Sequence, residues 1–404
     1  NALKGEVAFT GERRRMSVRN LLVVAQVAMA LILLSLTGLF LRSLEHASRI
    51  DIGFRTRGLL LLSVDPRLNG YTPAKTAAFL RELRERARAL PGVDAAVCTD
   101  VPLLSGGNRS EGFTLSGHSA KETPVTADLY MVTPGYFDAM GTPLLAGQDF
   151  SDEPADGPRV AVVNKAFADR RFGGTNPIGQ RVEDAAGTYQ IIGVAGNAKS
   201  RTVGEATRPI LYRSLDQSIA SDPSMMGYTL VVHTAGNPAT LVNAVRAQVY
   251  ALDPAMAIYN VETMEDHVRA AYLLPRLAAM LFGVFGCIGM VLATTGLYGL
   301  MSFAVSRRTR EIGIRMALGA RRGVVLRMVL RRAMLLTLVA FALGWPAAWL
   351  LARIAASFLY GISPHDTVTF AAVPVVLAIA ALVAVWVPAR RAAAVNPTEA
   401  LRAE

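Results

Sequence analysis

The sequence predicts a membrane protein of four transmembrane α-helices carrying one large α+β domain, on three observations. Hydrophobic residues make up 52% of the 404 and charged ones only 18%, a balance unusual for a chain dissolved in water. Four stretches, 21–41, 277–306, 333–352 and 367–388, carry no charge at all. Between the first two lies a charge-balanced segment, 42–276, long enough for a domain of its own.

At about 1.5 Å of rise per residue the shortest stretch, 333–352, reaches roughly 30 Å, the thickness of a bilayer's hydrocarbon core. Buried helices of soluble proteins rarely run beyond about 14 residues without a polar stripe, so the four read as spans. The first could also be a secretory signal. It is long for that, and "FLRSLEHASR" offers no small-residue cleavage site in the usual place, so it reads as an uncleaved anchor after a basic lead-in, 1–20.

The net charge of +11 is local. Residues 1–41 contribute +3, 307–332 contribute +8 with nine arginines against Glu311, 42–276 contribute −1, and the tail from Arg390 contributes +1. Short Lys/Arg-rich loops stay on the cytoplasmic side, whereas long domains translocate largely regardless of charge. Both termini, the 307–332 loop and the 389–404 tail are expected in the cytoplasm. The 42–276 domain and the 353–366 turn are then outside, in a multi-pass inner-membrane topology. Nucleic acid is disfavoured as a partner, because the charge flanks spans and no aromatic platform is interleaved with it.

The outer domain has its own grammar. After "GLLLLSV", Thr72-Pro73 supplies an N-cap and a first-turn proline, a helix follows with Phe79, Leu83 and Leu90 inward, and Pro91-Gly92 stops it before "VDAAVC". The pattern returns later: "YTLVVH", Asn237-Pro238, a helix with Leu241, Val245, Val249 and Leu252 inward, Asp253-Pro254, then "MAIYNV". Two β-α-β units separated by an insertion predict a split, ferredoxin-like lobe at about 55–100 and 226–262. The insertion, about 101–225, with its glycines and short apolar runs, predicts a separate mostly-β lobe.

The second span, 277–306, is longer than a bilayer requires, so its outer end is expected to continue as a stalk. Gly283, Gly286, Gly289, Gly296 and Gly299 recur along it at spacings that favour close helix contact. They suit a dimer seam or a contact with the first span; the bland alternative is tolerance of lipid packing. In 307–332, Arg308, Arg315 and Arg322 recur every seven residues, Ile312 and Met316 sit four apart, and Glu311 precedes Arg315 by four. A short interfacial helix with an arginine stripe follows, loosened at Gly319. Arg327, Arg331 and Arg332 then lie at the headgroup level, where they meet anionic lipid. Pro346 and Pro374 predict bends in spans three and four, and Arg353 snorkels to the outer face.

Catalytic signals are missing. No Gly-x-x-x-x-Gly-Lys-Ser/Thr loop or Gly-x-Ser-x-Gly elbow occurs, and His46, His118, His233, His267 and His365 show no metal-ligand spacing. The expectation is a non-enzyme without cofactor or metal. Cys98 in the outer domain and Cys287 in the second span are expected to be free thiols.

The run Arg310-Glu311-Ile312-Gly313-Ile314-Arg315-Met316-Ala317-Leu318-Gly319-Ala320 resembles the signature between the second and third spans of MacB/FtsX-like permeases, membrane subunits of the type VII ABC transporter class. In that family this segment bears a short cytoplasmic helix that docks on the ATPase. The resemblance thus assigns Arg308, Arg310, Glu311, Ile312, Gly313, Arg315, Met316, Leu318 and Gly319 to ATPase coupling. Family members often have a second basic residue where this chain has Met316. The tail "PARRAAAVNPTEALR", 388–402, resembles the family's C-terminal motif, in which the last span breaks at a proline. "VTPGYFDAMGTPLLAGQDF", "VAVVNKAFA" and "NPIGQ" resemble the MacB-type periplasmic core domain, with Asn197 where aspartate is common.

The resemblance implies a fold of four spans plus a periplasmic α+β domain, its split lobe called porter and its insertion sabre. It implies a cytoplasmic ABC ATPase subunit as partner, a second permease copy, and a periplasmic adaptor with an outer-membrane channel. The work implied is mechanotransmission for efflux of antibiotics, peptides or lipid-linked cargo. "ALKGE" before a basic approach to span one also resembles the middle of double-length permeases, so the pairing partner is either a second copy or the other half of one chain. Two alternatives stay open: a regulator that switches a periplasmic cell-wall hydrolase, and a membrane-anchored sensor, which typically has fewer spans.

Overall fold

A computed structural model describes residues 2–47, 50–106, 109–116, 123–151, 157–308, 314, 322–359 and 363–393. In chain order the first half holds α1 (Ala2–Ala47), β1 (Leu59–Val64), α2 (Pro73–Arg88), β2 (Ala95–Thr99), β3 (Ser110–Leu115), β4 (Val125–Val132), α3 (Tyr136–Met140), β5 (Leu144–Gly147), β6 (Val160–Asn164) and α4 (Lys165–Phe172). The second half holds β7 (Arg181–Asp184), β8 (Gly187–Ala195), β9 (Ile210–Ser214), α5 (Leu215–Ser218), β10 (Tyr228–His233), α6 (Val242–Leu252), β11 (Ile258–Thr263), α7 (Met264–Ala271), α8 (Leu273–Ser306), α9 (Arg322–Ile354) and α10 (Thr367–Ala393). The chain divides into a helical unit, 1–48 with 274–404, and a sheet unit, 49–273.

In the sheet unit, four strands lie in the order β11-β1-β10-β2, every pair antiparallel. Two β-α-β halves interleaved this way make the split, ferredoxin-like lobe. The apolar run Leu59–Val64 is buried along its whole length, because the sheet is covered on both faces and alternation would expose polar groups to an apolar layer. On one face α2 and α6 place Phe79, Leu83, Val245 and Val249 against Leu60, Leu62 and Leu230. On the other, Tyr136, Phe137, Met140 and Tyr212 cover Leu59, Leu61 and Val231. The start of α2 has the predicted chemistry: Thr72 Oγ1 accepts the Lys75 amide at 3.3 Å, with proline in the first turn. Asn237 caps a 3-10 turn, Pro238–Leu241, and α6 begins only at Val242.

The insertion is mostly β. β2 touches β4 at the pair Thr99–Val132, and β4-β3-β7-β8-β6-β9 returns to β4 through the parallel pairing Asp128–Ile210. This ring closes a six-stranded barrel, which removes free edges. Phe113, Leu129, Val163, Val182, Ile191 and Leu211 form its core together with Phe167 of α4. The fully buried Arg213 ends this interior, paired with Asp184, with Asp222 at 3.2 Å and with Glu111 at 3.1 Å.

In the helical unit, four helices among the described residues are long and apolar enough to cross a membrane: Val18–Ala47, Leu273–Ser306, Gly323–Ile354 and Thr367–Arg391. Leu281, Ile288, Leu338, Val375 and Val383 are exposed while Ala and Val fill the contacts between helices, the pattern of a bundle solvated by lipid. α9 starts at Arg322 rather than at Ala333, so Arg327, Arg331 and Arg332 continue the spanning helix. α10 runs through Pro374 and Pro388 to Ala393, and α9 through Pro346. The break expected at Pro388 is absent: each proline deletes one N–H···O bond, which a packed apolar helix tolerates.

Candidate functional site

The seam between α1 and α8 is built from missing side chains. A Cβ on Gly283 would stand 3.4 Å from Thr37 Cγ2, on Gly286 2.8 Å from Leu34 Cδ2, on Gly289 3.4 Å from Ala30 Cα, and on Gly296 2.6 Å from Gln26 Oε1. The partners step steadily back along α1, as expected for two antiparallel helices in close contact. Gly299 departs from this series, since a Cβ there would meet nothing within 4 Å. It borders a recess with Arg19, Gln26 and Thr295 instead.

Two further glycines, which the sequence pattern did not single out, bring the other helices onto the same partner. A Cβ on Gly344 of α9 would lie 3.1 Å from the Cα and carbonyl oxygen of Ala28, and a Cβ on Gly38 of α1 would lie 2.7 Å from Cγ2 of Thr369 of α10. α1 is therefore touched at glycine contacts by α8, α9 and α10. The only signal for Gly38 and Gly344 was a small residue inside an uncharged span.

One end of this bundle collects the arginines. The guanidinium of Arg19 lies 4.3 Å from the centre of the Phe303 ring and that of Arg307 6.0 Å from it, a favourable stacking of cation on π-face. Arg391 Nη1 donates to the Tyr298 hydroxyl at 3.4 Å. Arg308 and Arg332 rim a small apolar recess between α8 and α9 that Met301, Val305, Met328 and Val329 line. Arg307, Arg308 and Arg391 stand at the C-terminal ends of α8 and α10, where the helix dipole favours cations. Of the motif residues, Arg310, Glu311, Ile312, Gly313, Arg315, Met316, Leu318 and Gly319 lie outside the described residues; Ile314 is exposed.

At the opposite end, Arg42 of α1 pairs with Asp366, whose Oδ2 also accepts the Thr369 amide and hydroxyl, each at 2.8 Å, capping α10. The Trp349 and His365 rings stack 4.5 Å apart.

In the sheet unit, Asp128 is fully buried and receives Arg201, Arg208, Ser110 and Ser200. Burial alone would raise its carboxyl, but the two guanidinium groups and two hydroxyls outweigh it and hold it well below the usual carboxylate range. Asp100 is the reverse case: burial pushes it up to about 6, although it accepts backbone N–H groups. Cys98 is buried on β2, and burial pushes its thiol up to about 12; Cys287 is exposed on α8, and both are free. Among the described residues no group of three or more His, Cys, Asp or Glu gathers as a metal site.

Comparison with known proteins agrees with this architecture. Residues 283–397 match the FtsX-like permease C-terminal family, and residues 21–250, more than half of the chain, match the MacB-like periplasmic core domain family. The pyoverdine export ATP-binding/permease protein PvdT of Pseudomonas savastanoi pv. phaseolicola is 29% identical over 279 residues, which cover 65% of this chain and 40% of that protein. The macrolide export ATP-binding/permease protein MacB of Chromobacterium violaceum is 25% identical over 325 residues, 78% of this chain and 50% of that one. The chain thus spans half or less of the length of these curated relatives. Among solved structures, the periplasmic region of MacB from Actinobacillus actinomycetemcomitans aligns with a TM-score of 0.37 at 16% identity, over 56% of this chain and 98% of that one. By its two matched domains and its four apolar helices, the chain belongs to the MacB/FtsX-like family of ABC transporter permeases.

Proposed function

We propose that this permease transmits ATP-driven motion across the inner membrane by moving α1 as a hub, without a wide pore through its own spans. The carrying observation is that α8, α9 and α10 each reach α1 at glycine contacts. A helix gripped on several sides moves with its neighbours, because close-packed contacts are bistable rather than continuously deformable.

The arginine end of the bundle faces the cytoplasm in this reading, together with both chain termini, and the segment around Glu311 and Arg315 receives the ATPase. The sheet unit is periplasmic, its split lobe the porter and its barrel the sabre. The nucleotide-hydrolysing module lies outside these 404 residues, which contain no phosphate-binding loop. Relatives named for pyoverdine and macrolide export support efflux as the work done. A second permease copy or half, an adaptor and an outer-membrane channel complete the machine.

The test is sidedness. In a chain lacking Cys98 and Cys287, the variants Met225→Cys and Glu311→Cys are probed with a membrane-impermeant maleimide on spheroplasts. The reading predicts labelling at 225 and protection at 311 until the inner membrane is opened. Labelling at 311 in intact spheroplasts would overturn it.

A further inference from the structure

The sheet unit contains a recess of about 220 Å³, lined by both apolar and polar side chains, to which the transmission of motion gives no role. It opens beside β1 and β11, under the Asp100–Ser105 segment and against α7. The hydroxyls of Ser63 and Thr229, 2.8 Å apart on neighbouring strands, line it. Met226, 67% exposed, contributes to its wall. The register of β11 against β1 shifts between Leu61 and Ser63, and Asn260 adopts a left-handed φ of 47° there. Bulges and left-handed non-glycine residues of this kind cost energy and concentrate beside binding sites.

The charges in the recess are unequal. His267 Nδ1 lies 2.9 Å from Glu262 Oε1, and its Nε2 lies 2.9 Å from the Leu103 carbonyl. Glu262 thus has a hydrogen-bonding neighbour within the recess. Asp100 has no such contact, and the cation that acts on it, Arg109, is outside the recess lining. It is only 9% exposed; its Oδ1 accepts the Val101 amide at 2.9 Å, the Met131 amide at 3.0 Å and the Thr99 hydroxyl at 3.4 Å. Among the described residues its Oδ2 has no hydrogen-bond partner, and no Lys or Arg lines the recess. Arg109 is itself engaged by Glu111 and Asp222, so a largely buried carboxylate with one unpaired oxygen beside a cavity has room for a further donor.

We propose that this recess binds a compact organic ammonium ion, its N–H groups donating to Asp100 Oδ2 and its alkyl part lying against Met226 and Val101. The volume suits a small amine rather than a drug-sized ligand. A divalent metal would want several oxygen ligands, whereas a single free carboxylate oxygen beside hydroxyls and a polarizable thioether suits an alkylammonium. Burial holds Asp100 at about 6 when the recess is vacant; a bound cation favours the charged form and lowers it.

The test uses the full chain in detergent micelles at pH 7.5, titrated calorimetrically with n-butylammonium, 1-butanol and Mg²⁺. The expected result is saturable one-to-one binding of n-butylammonium and none of the other two. Asp100→Asn keeps Oδ1 as acceptor for its three bonds and turns an N–H donor toward the recess, so affinity falls by at least about tenfold while the melting temperature is no lower. Ser105→Trp, a substitution at an exposed rim position, blocks the recess and abolishes binding. Equal affinity in both variants, equal binding of 1-butanol, displacement by Mg²⁺, or no saturable binding by the wild-type chain would each overturn the proposal. On the wild-type chain alone, n-butylammonium raises the unfolding temperature and 1-butanol does not; equal effects would count against it.

Discussion

Gly286 of α8 faces Leu34 of α1 so closely that a Cβ would lie 2.8 Å from Leu34 Cδ2 and 3.4 Å from its amide nitrogen. Gly344 meets backbone instead, 3.1 Å from Ala28 Cα and oxygen, and Gly299 meets nothing. Alanine substitutions should therefore rank by what must give way. Gly344→Ala is expected to cost about 1–3 kcal/mol, because a backbone cannot rotate aside. Gly286→Ala costs less, since Leu34 can change rotamer, and Gly299→Ala gains about 0.5–1 kcal/mol in helix propensity. Thermal unfolding followed by Trp345, Trp349 and Trp386, all in the helical unit, reads the order. A Gly299→Ala variant less stable than Gly344→Ala would refute the close approach of α9 to α1 at Gly344.

Asp366 both caps α10 and pairs with Arg42. Asp366→Ala should cost about 1–2 kcal/mol, the value of a helix cap with some loss of the ion pair. Arg42→Ala should cost at most about 1 kcal/mol, because the Arg42 side chain is 41% exposed and the pair is partly screened. The same tryptophan melt separates them. Equal losses would mean that the ion pair, not the cap, dominates.

Asp100 titrates at about 6 in the folded chain against an ordinary 3.8. The folded state thus keeps a proton that the unfolded chain releases, so stability falls as pH rises between about 4 and 6. Asp100→Asn removes this titration. The variant should match the wild type near pH 4 and exceed it above pH 6, by up to about 3 kcal/mol, in denaturant unfolding followed by tyrosine fluorescence of the sheet unit. A gap that is constant with pH would contradict the shift.

Asp128 carries the opposite sign. Its folded carboxyl lies below the ordinary value, so its contribution is present above the ordinary carboxylate range and is lost as pH falls. Asp128→Asn leaves Arg201 and Arg208 without their buried partner and should cost about 3–5 kcal/mol at pH 7.5. The loss should shrink on acidification below pH 4. The same tyrosine-monitored unfolding checks it, and a growing loss at low pH would be inconsistent with the assignment.

What could be read in advance followed local physics. Charge-free runs of 20 residues or more marked the spans, and Thr72-Pro73 with the inward Phe79 and Leu83 marked α2. The repeated β-α-β grammar anticipated the interleaved strands. The barrel closure was not legible, because Asp128 pairs with Ile210 across a long insertion with no local signal for a parallel ladder. The continuation of α10 past Pro388 depends on tertiary packing that a propensity rule ignores. Of the glycines, four of the five picked by spacing lie on the α1 seam, but spacing along one helix says nothing about which neighbour arrives, so Gly38 and Gly344 escaped. Asp100 is far in the chain from Glu262 and His267, and only the sheet order brings it to their recess.

The measurement closest to the central claim is ATP hydrolysis by the companion ATPase with and without this permease, comparing the wild-type chain with Glu311→Ala/Arg315→Ala. The account predicts that the double variant, folded and inserted normally, loses stimulation by about tenfold or more and co-purifies poorly with the ATPase. Unchanged stimulation with unchanged association would contradict it.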